Sequence, residues 1–279
     1  MIVFANKAAQ HFTRMPLGNY TIEHFQDGEI FVRINEDVVG KKIWILAATQ
    51  PPADNLLELF FLLDALQRAG ASINLCIVYC AYVRQIYAQP GEVHSIEVIC
   101  SFLKNFTLNQ TLIMHPHTSL LHDFLAFKTI HAFDFFCHYA KEYDTIAAPD
   151  QGALPFAQKV ALSCNKELIA LTKIRPEHDE VKIISLDGQA NGKKILLVDD
   201  IISTGRTLVA AAQALKKQGA TAVSAAATHG IFAPGSQEYI ENSLLEHVYI
   251  TNTINQKSQG KITVVDISNE LLQILNNNA

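Results

Sequence analysis

Apolar residues fall along the chain in short, nearly continuous runs separated by stretches with a helical period. Ile43-Trp44-Ile45-Leu46, Ile73-Asn74-Leu75-Cys76-Ile77-Val78-Tyr79, Ile195-Leu196-Leu197-Val198 and Ala222-Val223-Ser224-Ala225-Ala226-Ala227 have no regular polar face. Runs of that kind suit strands covered on both sides, as in a parallel sheet. Further strands are predicted over residues 145–148, 167–171, 181–185, 247–251 and 262–265. Leu208, Ala211, Ala212 and Leu215 share one helical face, and Gly219 stands where a left-handed C-cap is needed. Residues 56–68 are apolar almost all round, which predicts a helix buried on two sides by an interdomain or intersubunit contact. The repeated order strand, helix, strand implies an α/β fold, mainly parallel sheets with helices on both faces.

The pattern is also duplicated. Gly40-Lys41-Lys42-Ile43-Trp44-Ile45-Leu46 is echoed by Gly192-Lys193-Lys194-Ile195-Leu196-Leu197-Val198. The helices that follow close as Ala65-Leu66-Gln67-Arg68-Ala69-Gly70-Ala71 and Ala214-Leu215-Lys216-Lys217-Gln218-Gly219-Ala220. The leading glycines stand 152 residues apart (192 against 40) and the helix-ending ones 149 (219 against 70). Two echoes in the same order at nearly equal offset predict two domains of one design, residues 1–140 and 141–279.

Composition narrows the function classes. A formal net charge of −5 over 279 residues offers no basic face for nucleic acid. No apolar run reaches the length of a membrane span, and residues 1–6 do not read as a signal peptide, so a cytoplasmic protein is expected. The five cysteines (Cys76, Cys80, Cys100, Cys137 and Cys164) are odd in number and lie mostly in apolar stretches, which suits free thiols.

The chemistry concentrates in Ile195-Leu196-Leu197-Val198-Asp199-Asp200-Ile201-Ile202-Ser203-Thr204-Gly205-Arg206-Thr207. A buried strand ends in two carboxylates, at the strand end where open α/β sheets bind ligands. A loop with hydroxyls and a glycine then opens a helix whose first N–H groups lack helical partners and favour an anion. Thr204 and Thr207 can donate to a phosphate, while Asp199 and Asp200 can accept from sugar hydroxyls or hold a metal. An Asp pair alone would be no more than a strand end, and a Ser-Thr-Gly turn no more than an N-cap. The whole pattern resembles the loop that binds phosphoribosyl pyrophosphate in the phosphoribosyltransferase superfamily, where Arg206 stands at a position commonly held by glycine.

Beyond the loop the chain resembles ribose-phosphate pyrophosphokinases from about residue 4 to residue 267. The matching pieces, in order, are Phe25-Gln26-Asp27-Gly28-Glu29, Asp54-Asn55-Leu56-Leu57-Glu58-Leu59, Tyr82-Val83-Arg84-Gln85, and Pro90-Gly91-Glu92 with Ser95. His115-Pro116-His117, Ala148-Pro149-Asp150-Gln151-Gly152 and Lys173-Ile174-Arg175 follow, then the loop, Thr228-His229-Gly230-Ile231-Phe232 and Thr251-Asn252-Thr253-Ile254. The spacing Gly-Glu-x-x-Ser and the Ile-Ile-Ser-Thr-Gly loop look most like the shorter, archaeal-type branch.

The resemblance implies two tandem phosphoribosyltransferase-like domains, the first without its own phosphate loop. It implies an ATP- and Mg2+-dependent enzyme of nucleotide biosynthesis that acts on ribose 5-phosphate and self-associates as a dimer or higher. Phe25, Asp27 and Glu29 would reach the adenine in a neighbouring subunit, and Arg84, Gln85 and His117 would serve ATP. His117 and Asp150 would hold metal, and Lys173 and Arg175 would be the catalytic cations. Asp199, Asp200, Ser203, Thr204, Gly205, Arg206 and Thr207 would bind ribose 5-phosphate. Residues 176–180 are polar and read as a mobile surface segment. The chain departs from the family pattern at Ile86, His94, His115 and Ala153. A salvage phosphoribosyltransferase and a non-catalytic regulatory paralogue are the competing readings, which ATP-dependent AMP release discriminates.

Overall fold

A computed structural model of the chain describes residues 1–12, 14–85, 87–174 and 182–278. Contacts divide it into two compact units. The first holds residues 1–131, 253–255 and 268–279, and the second holds residues 132–252 and 256–267.

The first unit is built on strands β1 (Ile2–Ala5), β4 (Lys42–Ala48), β5 (Ser72–Tyr79), β6 (Leu108–Met114) and β7 (Lys128–Ile130), side by side in that order and all parallel. Strands β2 (Tyr20–His24) and β3 (Ile30–Ile34) form a separate antiparallel ribbon. Helix α1 (Asp54–Arg68) connects β4 to β5, and α2 (Ser95–Leu103) precedes β6. Helix α1 buries Glu58, Leu59, Leu62, Leu63 and Leu66, while Leu57 and Phe61 on its other side stay exposed. The chain by itself therefore covers only one of the two apolar sides that the sequence pattern presents.

The second unit begins with α3 (Phe133–Ala140). Then come β8 (Thr145–Ala148), α4 (Leu154–Ser163), β9 (Glu167–Ile174), β10 (Lys182–Asp187) and β11 (Lys194–Ile202). Helix α5 (Arg206–Lys217), β12 (Ala222–Gly230), α6 (Ser236–Glu241), β13 (Val248–Thr251) and β14 (Ile262–Val265) complete it. The seven strands lie in the order β10-β9-β8-β11-β12-β13-β14, parallel throughout except for β10 at the edge. The chain ends in α7 (Ser268–Asn277), which returns to the first unit and buries Leu271 and Leu275.

Strand order fixes where a ligand can enter. From β8 the chain winds outward through β9 and β10, then comes back beside β8 as β11 and winds the other way. The neighbouring ends of β8 and β11 thus send their connections to opposite sides and leave a crevice between them, the usual ligand position in an open α/β sheet.

The internal repeat is visible bond by bond. Gly40 N–H donates to Gly70 C=O at 2.8 Å, and Gly192 N–H to Gly219 C=O at 2.9 Å. Ser72 N–H donates to Lys41 C=O at 2.9 Å, as Thr221 N–H does to Lys193 C=O at the same distance. Both helices close with one motif: Ala71 N–H reaches Leu66 C=O and Ala220 N–H reaches Leu215 C=O, each at 3.1 Å. Gly70 and Gly219 supply the positive φ that this closure needs, +77° and +89°. The four residues Leu208, Ala211, Ala212 and Leu215 are buried as their spacing predicts. Cys76, Cys80 and Cys100 are buried free thiols, and Cys137 and Cys164 are free and half-buried. Among the described residues no helix is long and apolar enough to cross a membrane.

Candidate active site

The crevice of the second unit is lined from three strands. Asp150 follows β8, and its Oδ1 accepts from the Ala153 N–H at 3.0 Å, a local turn that starts α4. Its Oδ2 pairs with Lys173 Nζ, which comes from β9 and also donates to Thr207 Oγ1 at 3.3 Å. The two charged side chains keep only 21% and 15% of their exposure, so solvent screens this pair less than a surface ion pair.

Asp199 and Asp200 end the buried part of β11 and are both half-buried. The Asp200 N–H donates to Asp199 Oδ1 at 2.9 Å. Burial raises the Asp199 carboxyl well above its ordinary range, and the Asp200 charge, a side-chain hydrogen bond with Asp200 and the Asp150 charge add to the rise. The site therefore concentrates negative charge that a cation would relieve.

The loop turns into α5 at Gly205, whose φ of +74° and buried position both require glycine. An added Cβ would meet Ile240 Cγ1 at 2.9 Å. Thr204 is exposed, with its Oγ1 at 3.5 Å from the Arg206 N–H, and Ser203 is tied by its carbonyl to the Ala233 N–H at 3.0 Å. Arg206 and Thr207 open the helix, where N–H groups lack helical carbonyls and favour an anion. The structure so brings together Asp150, Lys173, Asp199, Asp200 and residues 203–207. Arg175 lies outside the described residues.

The other candidates belong to the first unit. Phe25, Asp27 and Glu29 sit in the exposed turn of the β2–β3 ribbon, closed by Phe25 N–H to Glu29 C=O at 2.8 Å and Glu29 N–H to Asp27 Oδ1 at 3.1 Å. Phe25 is 55% exposed and touches the Phe31 ring at 5.7 Å. Arg84 and Gln85 are exposed after β5, with Gln85 Nε2 donating to Glu92 Oε2 at 3.3 Å. His117 is exposed beyond β6, whereas His115 is buried at a φ of +38° with its ring 4.9 Å from that of His131. Among the described residues no three His, Cys, Asp or Glu side chains converge as a ready metal cage.

Two features escape sequence reasoning. Ile240, which dictates glycine at position 205, is an ordinary apolar helix residue 35 positions further on. Lys7, His24 and Asp54 meet beside the ribbon turn, and charges so far apart in the chain give no local signal.

Known proteins match the chain at both levels. Residues 3–106 match the N-terminal domain of ribose phosphate pyrophosphokinase, and residues 140–277 match the phosphoribosyl synthetase-associated domain. The ribose-phosphate pyrophosphokinase of Agrobacterium fabrum is 31% identical across 100% of this chain and 97% of its own. That of Thermotoga maritima is 31% identical over 93% of this chain and 86% of its own. The crystal structure of phosphoribosylpyrophosphate synthetase from Mycobacterium smegmatis superposes with a TM-score of 0.86 at 25% identity, covering 100% of this chain and 99% of that one. Similarity of this extent, in sequence and in a fold of two parallel-sheet units, establishes that the chain belongs to the ribose-phosphate pyrophosphokinase family.

Proposed function

We propose that the chain transfers the diphosphoryl group of ATP to the 1-hydroxyl of ribose 5-phosphate, giving phosphoribosyl pyrophosphate and AMP. The observation that carries this reading is the crevice of the second unit. One cation, Lys173, is held between a carboxylate and the first helical hydroxyl of an anion-binding loop, beside a paired Asp199 and Asp200.

The 5-phosphate fits the N-terminal turn of α5, where Ser203, Thr204 and Thr207 add hydroxyls and Arg206 a charge. Gly205 lets the backbone approach the phosphate without a Cβ. Asp199 and Asp200 then face the sugar hydroxyls and accept from them. In the transfer, the anomeric hydroxyl gives up its proton to solvent and its oxygen bonds to the β-phosphorus as the bond from that phosphorus to the α-phosphate oxygen breaks. Charge moves onto the departing AMP. Lys173 has a compact ammonium suited to follow that charge, and Arg175 would add a planar fork for two oxygens at once.

Asp150, Asp199 and Asp200 offer hard oxygen donors, and their mutual repulsion suits a divalent ion. Mg2+ is ordinarily held by one or two carboxylates together with substrate phosphates and water. We assign a metal-ligand role to Asp150 in the second unit and, separately, one to His117 in the first. When bound, Mg2+ would neutralise charge on the diphosphoryl oxygens. The turn with Phe25, Asp27 and Glu29 is assigned to the adenine of a neighbouring copy, and Arg84 and Gln85 to ATP. On that assignment the active form is a dimer or larger, working in the cytoplasm.

Incubation with ATP, Mg2+ and ribose 5-phosphate tests the reading. AMP should appear only when both substrates are present. Release of ADP, or AMP formation indifferent to the sugar phosphate, would overturn it.

A further inference from the structure

The β2–β3 ribbon carries its candidate adenine contacts on a turn that its own strands hold weakly. A two-stranded ribbon is marginal by itself, and here Tyr20, Ile22, Val32 and Ile34 fasten it by packing on the first unit's core. Register places Tyr20 opposite Ile34, Ile22 opposite Val32 and His24 opposite Ile30, so His24 is the last residue of that inner row before Phe25. At the far end Tyr20 is tied to the sheet, its hydroxyl donating to Ala5 C=O at 2.8 Å. At the turn end the apolar row gives way to an imidazole.

That imidazole has a charged neighbour on each side, within hydrogen-bond distance on one of them. Lys7 Nζ lies 2.9 Å from His24 Nδ1. An ammonium can only donate, so Nδ1 accepts and the ring proton sits on Nε2, which faces Asp54 Oδ2 at 4.0 Å. Lys7 is itself fixed: its N–H donates to the buried Glu58 Oε2 at 2.7 Å, and its Nζ stands 4.0 Å from Oε1. The residue before it, fully buried Asn6, donates to Ala48 C=O at 2.8 Å and Asn55 C=O at 2.9 Å. A line of polar contacts therefore runs from β4 and α1 through Asn6 and Lys7 to the base of the turn.

We propose that His24 is a positioning residue for ATP: the Lys7–His24–Asp54 contact latches the ribbon so that Phe25 and its turn are presented in one place. The inference rests on assigning that turn to adenine. Phe25 has 55% of its surface free and packs against the Phe31 ring of the ribbon, so the placement of its ring depends on the ribbon beneath it. A stacking ring that wanders loses ligand affinity without touching the reacting atoms.

Steady-state kinetics on His24→Ala, Lys7→Met, the double variant, His24→Asn and Phe25→Ala decide the matter. His24→Ala and Lys7→Met should each raise KM for ATP about three- to tenfold, the scale of one ordinary net hydrogen bond. Turnover and KM for ribose 5-phosphate should stay within about twofold. The double variant should be no worse than either single one, because both break the same contact. His24→Asn, whose side-chain oxygen can replace Nδ1 as acceptor, should recover most of the loss. If Phe25→Ala raises KM for ATP but His24→Ala does not, or if the two single effects simply multiply, the latch is refuted. If Phe25→Ala itself leaves KM for ATP unchanged, the adenine assignment falls first and the latch is withdrawn with it.

Discussion

Substituting Gly205 by alanine isolates the geometric demand of the loop proposed to bind phosphate. Two separate costs arise. A φ of +74° places an L-residue in the left-handed region, at about 1–2 kcal/mol. The new methyl would also lie 2.9 Å from Ile240 Cγ1 and 3.0 Å from Cδ1, well inside ordinary carbon contact distances. Ile240 is fully buried, so it cannot swing aside without disturbing its neighbours, and such overpacking typically costs about 1–3 kcal/mol. The expected loss for Gly205→Ala is therefore about 2–5 kcal/mol, together with a weaker hold on ribose 5-phosphate as the loop shifts. Urea unfolding followed by circular dichroism measures the first, and half-saturation by ribose 5-phosphate the second. Ile240→Ala, which by itself should cost about 2–5 kcal/mol, separates the two terms. In the double variant the clash disappears and only the backbone cost remains, so the combined loss should fall short of the sum by about 1–3 kcal/mol. A Gly205→Ala protein as stable as the parent, or strictly additive losses, would refute the reasoning.

Lys173→Ala should cut turnover by a factor of about 10²–10³ while shifting half-saturation far less, and AMP release at the parental rate would remove Lys173 from the chemistry. Arg175→Lys should also lower turnover, since an ammonium cannot reproduce the guanidinium fork, and steady-state AMP release measures it. Asp200→Asn should raise KM for ribose 5-phosphate about ten- to a hundredfold with ATP affinity nearly unchanged, which kinetics varying one substrate at a time would show. Asp199 gives a prediction with a defined sign in pH. Its carboxyl is raised in the folded state, so it favours folding below the ordinary carboxylate range, and that contribution is lost as pH rises through the raised value. Asp199→Asn should therefore raise Tm near pH 8, by about 2–4 °C if about 1 kcal/mol is recovered, and change it little under acid conditions. Equal Tm shifts at both pH values would contradict the assigned cause.

How much of this was legible in the sequence depended on range. Strand β14 was readable at the same bounds, residues 262–265, because four apolar or β-branched residues are flanked by polar ones. The end of β12 was not: the strand runs on through Thr228 and His229, both fully buried, where the pattern of small apolar residues breaks. The β2–β3 ribbon escaped as well, since its inner row ends in a histidine and its outer row carries Phe31. The loop from Asp199 to Thr207 could be proposed as a phosphate and sugar site from the sequence because its chemistry is contiguous. Its setting could not be, because no local pattern says that β8 lies beside β11. The contact of Lys173 with Asp150 and Thr207 follows from that strand order alone.

The bond-for-bond likeness of the two halves has a consequence for how the chain reaches its native state. An unfolded chain that holds the same strand pair twice could exchange partners, β4 with β12 or β11 with β5, and form compact but wrong sheets. The two pairs are distinguished inside the sheet rather than at its surface. Trp44 faces Asn74 across β4 and β5, and Asn74 donates to Ile43 C=O at 3.2 Å, whereas Leu196 faces Ser224 at the equivalent register. A swapped pairing would set an indole beside a serine in one sheet and a leucine beside a buried asparagine in the other. Side chains inside the two sheets would then act as addresses, steering each strand to its own partner.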